Sequence, residues 1–498
     1  MEQQNQPTTL AAVDLGSNSF HLIVAREEHG EIRPIERIGE KVQLAAGIGK
    51  KGKLSAEAIG RGLSCLARFR QVIDSLQPDM VRVVGTNTLR AAKNSKEFTV
   101  PAEAVLGCPV EIIPGREEAR LIYLGVAHTL ADDEQSRLVV DIGGGSTEFA
   151  IGQRFEPKRL ESLHMGCVSY MKRFFDDGKI TEKAFQKAVE AASLEVLNIR
   201  DAYRQMGWQE CVGSSGTLLA VHQVLQEQGW ATESITPGGL AKLKQAVLAV
   251  DCMDNLDFPG LKENRRTVFP SGLAITCALF DVLGIENMTV SNGALREGVV
   301  YDMIGRLRHE DVRERSVNAL MQRCAVDDKV AGRVEQMAGQ LYEFVCDSWK
   351  LNQDDQMMLC WAARLHEIGL TIAHNQFHKH GEYLIHNSDL PGFSQRDQQV
   401  LALLVRSHRR KLPMDLFKEL PKKRRSALLK MAMLLRLAVL FKYVAQEEGE
   451  PEFTVSAEGK TLSLNFPLDW LSRHPLTANE LENEAELISD SGYQLHIR

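Results

Sequence analysis

The feature that most constrains this chain is a stretch that occurs twice. Residues 11–25, AAVDLGSNSFHLIVA, align without a gap with residues 138–152, LVVDIGGGSTEFAIG. Val13 falls on Val140, Asp14 on Asp141, Gly16 on Gly143 and Ser19 on Ser146, with matching apolar flanks. Each copy reads as a buried strand ending at an Asp, then a turn, then a second strand. Three consecutive glycines, Gly143, Gly144 and Gly145, are costly in a regular element, because glycine loses the most backbone freedom on folding. They allow a tight turn whose amide N–H groups approach a ligand closely, which suits phosphate oxygens. A plain glycine hairpin competes with that reading for one copy. The second copy favours duplicated domains whose turns face one another across a cleft. Asp14, Asp141 and Glu148 then supply carboxylates of the kind that hold Mg²⁺ beside substrate phosphates.

Further turns follow the same grammar. VRVVGTNTLRAA (81–92) reads as a strand, a turn and a helix start, with Thr86, Thr88 and Arg90 at the strand's carboxyl end. Open α/β sheets bind ligands there. VEIIPGREEARLIYLGVAH (110–128) gives a strand, a Pro-Gly turn and a helix opening on Glu117 and Glu118. Acids in a first helical turn satisfy the helix dipole, which suffices for Glu117. Glu118 is weighed as a general base for water, and the residues alone leave the pair open. ECVGSSGTLLAV (210–221) is a third strand-to-helix turn, with Ser214, Ser215, Gly216 and Thr217 at a helix start that serves as a cap or as an anion site.

At 498 residues the chain exceeds one core, and about three or four domains are expected. The pattern divides it into 1–129, 130–305, 306–445 and 446–498: two α/β domains, an all-helical one and a small α+β lobe with a hairpin at 452–466. Nine cysteines with no CxxC pair read as reduced thiols. No apolar leader and no run of about 18 uncharged apolar residues is present, so a cytoplasmic enzyme without a membrane segment is expected.

A net charge of −7 repels a polyanion unless basic residues gather. Between Leu401 and Arg436 stand eleven Lys or Arg against two acids, including Arg409 and Arg410, with an acidic run at 447–452 following. A solvated helix face and a polyanion track compete there. The basic run lacks interleaved aromatics, so no nucleic-acid partner is expected. His366, His374, His378, His380 and His386 cluster nearby and invite a metal hypothesis.

DLGSNSFHL and DIGGGSTE, with TLR, GREEARLIY, GSSGT and GALREG in that order, resemble the exopolyphosphatase and guanosine pentaphosphate phosphohydrolase family. That family belongs to the sugar kinase, Hsp70 and actin superfamily. The resemblance implies duplicated actin-like domains followed by an all-helical HD-like domain and a small C-terminal lobe. It implies Mg²⁺-assisted release of terminal orthophosphate from inorganic polyphosphate, with Glu118 as catalytic base, Arg90 at the cleft and Asp141 and Glu148 at the metal. Ser17, Asn18, Ser19, Gly143, Gly144, Gly145, Ser146, Thr147 and the 213–217 turn become phosphate-binding positions. GRLRHEDVRERS, LLVRSHRRK and FEPKRLESLHMGCVSY look more like the exopolyphosphatases; hydrolysis of guanosine pentaphosphate (pppGpp) to the tetraphosphate is the alternative. K⁺ as activator and a homodimer are also implied. In the helical domain Glu367 stands where an HD hydrolase has Asp, so a metal-free domain is expected whose His378, Arg409 and Arg410 guide the substrate chain. A superfamily kinase or chaperone would need an acceptor pocket or an adenosine lobe, and a non-catalytic sensor would not need Glu118, Asp141 and Glu148 together.

Overall fold

The computed structural model describes residues 8–28, 31–49, 51–130, 135–307, 311–420, 422–442 and 453–498. His29–Gly30, where the sequence suggests a hairpin turn, and the acidic run at 447–452 therefore lie outside the described residues. The chain forms two compact units, Met1–Asp311 and Val312–Arg498.

In the first unit, the first copy of the repeat builds β1 (Thr8–Leu15) and β2 (Ser19–Glu28), followed by β3 (Glu31–Lys41), β4 (Met80–Gly85) and β5 (Val110–Ile112). The second copy builds β6 (Ser136–Ile142) and β7 (Thr147–Gln153), followed by β8 (Glu156–Leu163), β9 (Glu210–Ser214) and β10 (Thr289–Val290). The sheet orders are β3-β2-β1-β4-β5 and β8-β7-β6-β9-β10, so every strand has a counterpart five strands later. In both sheets an antiparallel hairpin set meets two parallel strands at β1 or β6. These central strands are apolar on both faces, because helices cover both sides. This is the duplication that the repeat predicted, in the actin-like form that the family resemblance implies.

Helix Ala56–Leu76 is capped by Ser55, whose hydroxyl accepts from the Ala58 N–H. Its Cys65, Leu66, Phe69 and Ile73 fill the core of the first sheet. Helix Phe269–Leu283 is buried nearly all round against the second sheet. The segment Glu263–Leu283 is long and apolar enough to cross a membrane, and 72% of it is buried inside the fold, as a core helix would be.

Two helices, Gly115–Ala127 and Leu295–Leu307, join the halves. Leu121, Ile122 and Val126 from the first and Val299, Val300 and Met303 from the second share one core with β1, β2 and β4 and with β6, β7 and β9. The helices cross on glycines: a side chain at Gly125 would strike the Ala294 carbonyl, and one at Gly298 would overlap the Leu121 carbonyl. Gly298→Ala is therefore expected to cost about 1–3 kcal/mol, because backbone rather than a pliable side chain must yield. Chemical denaturation measures it, and an unchanged midpoint would show that the helices can part freely.

The same helices carry a buried ion network. Asp302 Oδ2 accepts from Arg82 Nη1 at 2.7 Å and from Arg306 Nε at 3.0 Å, and Oδ1 accepts from Arg120 Nη2. Arg120 in turn donates Nε and Nη2 to the two Glu117 oxygens, each at 2.8 Å.

In the second unit, helices Val312–Arg323, Asp328–Trp349, Gln353–Leu365, Phe377–His386, Gln395–Ser407 and Lys422–Phe441 precede a sheet of β11 (Thr454–Glu458), β12 (Thr461–Asn465) and β13 (Gln494–Ile497). Gly459, at φ 56°, makes the hairpin turn. Val455, Leu462, Leu464, Leu481 and Leu495 pack into the same core as Leu341, Val345 and Leu428, so the terminal hairpin is part of the helical unit's core. Helix Leu295–Leu307 runs through position 305, and the units divide after Asp311.

Candidate active site

The turns after β1 and β6 abut. A side chain at Gly144 would stand 3.0 Å from Ser17 Cβ, and one at Gly145 would overlap the Asn87 amide. Close approach of the two loops thus favours glycine at 144, and the packing of Asn87, from the turn after β4, does the same at 145. The second turn is held by Gly143 N–H donating to the Ser146 carbonyl at 2.9 Å, and by Cys167 and Val168 N–H donating to the Gly143 and Gly144 carbonyls at 2.9 Å. Thr88 Oγ1 donates to Ser17 Oγ at 2.7 Å and steadies the first.

Between the turns lies a cleft of about 290 Å³. Of the residues picked out in the sequence, Asp14, Ser17, Asn18, Ser19, Glu118, Asp141, Gly143, Gly144, Gly145, Ser146, Ser214, Ser215, Gly216 and Thr217 line it. Others stand behind the wall. Thr147 is fully buried with its hydroxyl donating to the Met165 carbonyl at 2.6 Å, so it does not face the cleft as a phosphate ligand would. Glu148 is buried and accepts from Ser162 Oγ at 2.9 Å. Arg90 donates from Nη1 to Glu118 Oε2 and to the Ile113 carbonyl, both at 2.7 Å. His378, Arg409 and Arg410 belong to the second unit.

The Glu117/Glu118 pair is resolved by geometry. Glu117 is committed to Arg120 in the buried network, whereas Glu118 lines the cleft with Arg90 fixing one oxygen. At the third turn, Ser215 holds φ 80° as the first residue of helix Ser215–Glu227, a left-handed conformation rare for a side-chain-bearing residue. Such strain persists where surrounding structure imposes it, commonly at ligand sites. The next residue, Gly216, has the Arg265 guanidinium laid against it, so a side chain there would displace that guanidinium.

The electrostatics are those of crowded, buried carboxylates. Burial raises the Asp141 carboxyl to about 7, with Glu118 and Asp14 adding to the rise and a Ser214 hydrogen bond opposing it. Burial also lifts Glu118, against the pull of Arg90, and lifts Glu148 well above the ordinary carboxylate range, with Glu118 and Asp141 contributing. Among the described residues Asp141 and Glu148 form no ion pair, and a bound cation would relieve their repulsion. Asp14 Oδ1 is buried without a hydrogen-bond partner. Among the described residues no three His, Cys, Asp or Glu donors are arranged to hold a metal by themselves. Mg²⁺ asks for less, since it is commonly held by one or two carboxylates plus substrate phosphates and water.

Sequence reasoning passed over His21, Arg265, Ser291, Asn292 and Arg296, all in the lining. For His21 a signal existed. In the gapless alignment it falls on Glu148, and both residues pair across a hairpin with the strand-end Asp. His21 Nδ1 lies 3.4 Å from Asp14 Oδ2. Arg265, far along the chain from any of the turns, carried none.

Comparison with known proteins agrees with this architecture. Residues 23–307 match the model described as the Ppx/GppA phosphatase family, and residues 312–485 match Ppx/GppA phosphatase, domain III. The chain is 40% identical over 501 residues to a Vibrio vulnificus protein named guanosine-5'-triphosphate,3'-diphosphate pyrophosphatase, covering 100% of this chain and 99% of that one. A protein of the same name from Aeromonas hydrophila is 40% identical over 493 residues, covering 98% of each. Among solved structures, the Aquifex aeolicus PPX-GPPA enzyme is similar at TM-score 0.51 and 26% identity, covering 59% of this chain and 99% of that one. An exopolyphosphatase from Cytophaga hutchinsonii shares the fold at TM-score 0.55 and 24% identity, covering 59% of this chain and 97% of that one. On the repeat, the paired sheets and these matches together, the chain belongs to the Ppx/GppA phosphatase family.

Proposed function

We propose that this chain hydrolyses the terminal phosphoanhydride bond of pppGpp, releasing orthophosphate and guanosine tetraphosphate. The observation that carries the choice is the 40% identity, over the full length of both chains, to proteins named for that nucleotide. The sequence motifs placed inorganic polyphosphate first; the full-length relatives favour the nucleotide, and a polyphosphate activity rests on family membership and on the basic run of the second unit.

In this reading the 5'-triphosphate enters the cleft between the two turns, with the amides around Ser17 and Asn18 and around Gly143–Ser146 on its oxygens. Glu118, its second oxygen clear of the Arg90 contact, orients the attacking water and takes its proton as the water attacks the terminal phosphorus. The bond from that phosphorus to the bridging oxygen breaks, and the electron pair leaves with the β-phosphate. Arg90 is a positioning residue here, since it reaches Glu118 rather than the cleft. Asp141, with Asp14 beside it and Glu148 behind it, would hold Mg²⁺, which when bound supplies positive charge to the phosphoryl oxygens.

The substrate is tested by orthophosphate release from pppGpp and from long-chain polyphosphate under one set of conditions. A kcat/KM clearly higher for the nucleotide is expected, and a preference for polyphosphate would overturn the assignment. The Asp141 carboxyl at about 7 gives a second expectation. Protons and Mg²⁺ compete for it, so the Mg²⁺ concentration for half-activation should fall about tenfold per pH unit from pH 5.5 to 7 and level off above. A pH-independent value would remove Asp141 from the metal site.

A further inference from the structure

Three imidazoles gather in the second unit. His366, His408 and His378 are 0%, 2% and 6% exposed, with ring centroids 5.5 Å apart for His366–His408 and 6.3 Å for His378–His408. His366 Nδ1 lies 2.6 Å from the Ala363 carbonyl, and His408 Nδ1 2.6 Å from the Val405 carbonyl. A carbonyl can only accept, so both Nδ1 atoms carry the proton and both Nε2 atoms present a lone pair. Neither Nε2, nor His378 Nδ1, has a hydrogen-bond partner. Buried imidazoles backed by a backbone carbonyl, as His366 and His408 are, are the donors that zinc-class cations take.

The pocket already contains a positive charge. Lys442 is 8% exposed, and its Nζ lies 2.6 Å from Glu367 Oε1. That same oxygen stands 3.7 Å from His366 Nε2. Glu367 is thus engaged by an ammonium beside the histidines. Among the described residues no three donors are arranged to hold a metal ion, so the pocket as it stands does not fit one.

We propose that Lys442 is a built-in substitute for a divalent transition cation, and that replacing it by a neutral side chain opens a metal site at His366, His408 and Glu367, with His378 within reach as a fourth donor. An ammonium on a helix terminus supplies the charge that the carboxylate needs, without dependence on metal supply. Glu367 in place of Asp suits this, because its longer side chain reaches the ammonium. The inference does not depend on which phosphoanhydride the first unit cleaves.

The test uses the full chain and Co²⁺ as the probe, read by visible d–d absorption and by metal content after desalting. Lys442→Met should acquire a Co²⁺ site at least ~10-fold tighter than any in the unaltered chain, and His408→Gln added to it should abolish that site. Co²⁺ held by carboxylates elsewhere is unaffected by His408→Gln and is subtracted by that comparison. If Lys442→Met does not fold, Lys442→Gln, which keeps a donor for Glu367 without the charge, carries the same test. Co²⁺ bound by the unaltered chain and lost on His408→Gln would overturn the proposal, as would no gain of binding on removing the ammonium.

Discussion

Glu118→Gln is expected to lower kcat at least ~10²-fold while leaving KM nearly unchanged. Glutamine keeps the shape of the side chain and an oxygen for Arg90, so the cleft wall and the hydrogen bond at 2.7 Å both survive. What is lost is the capacity to take a proton from water. The raised position of the Glu118 carboxyl makes it a stronger base than an ordinary glutamate, which enlarges the expected loss. Steady-state orthophosphate release checks it. A raised KM with unchanged kcat would make Glu118 a substrate contact and leave the base to another residue. Glu117→Gln is the wrong control for this purpose, because Glu117 belongs to the buried ion network and its loss would act through stability.

Asp302→Asn should cost about 3–5 kcal/mol of stability, the range for removing one partner of a buried ion pair. Asp302 answers Arg82, Arg120 and Arg306 at once, and the amide would leave their charges uncompensated inside the protein. Burial alone would raise its carboxyl, and the three arginines overcome that and hold it below the usual range. A depressed folded-state value means the stabilisation is fully present above about pH 4 and is lost as pH falls towards the folded-state value. Asp302→Asn should therefore also flatten the acid limb of the stability profile. Denaturant titrations at pH 7 and below pH 4, at about pH 2.5, measure both effects, and a loss below ~1 kcal/mol at pH 7 would show that water or a shifted side chain answers the arginines.

Much of this architecture was legible because the repeat compresses it. Two gapless copies of a strand–turn–strand unit specify two equivalent sheets, and their glycines specify where the loops meet. Adjacent residues on a helix point about 100° apart, and only tertiary packing decides which of Glu117 and Glu118 faces a cleft. One clue was readable: Arg120 lies at i+3 from Glu117, the spacing of a helical ion pair. Sequence proximity misled in the helical unit. His374 and His386 are exposed, while His408, from the basic run RSHRRK, joins His366 and His378 in the interior. Thr147 follows the glycine turn directly, yet strand alternation turns it inward.

The helix that closes the core between the two sheets is also the last element of the first unit to be synthesised. Leu10, Ala12, Ile23, Ala25 and Val84 of β1, β2 and β4 share their core with Leu121, Ile122 and Val126, and that core stays incomplete until Val299, Val300 and Met303 arrive. A nascent chain must therefore carry a half-covered sheet through most of the synthesis of its second half, so translation cannot complete the two halves one after the other. The repeat in the sequence thus does not correspond to a repeat in folding: each half has its own sheet, but the first is no independent domain, and a fragment ending before residue 295 would expose the apolar face that the last helix was made to cover.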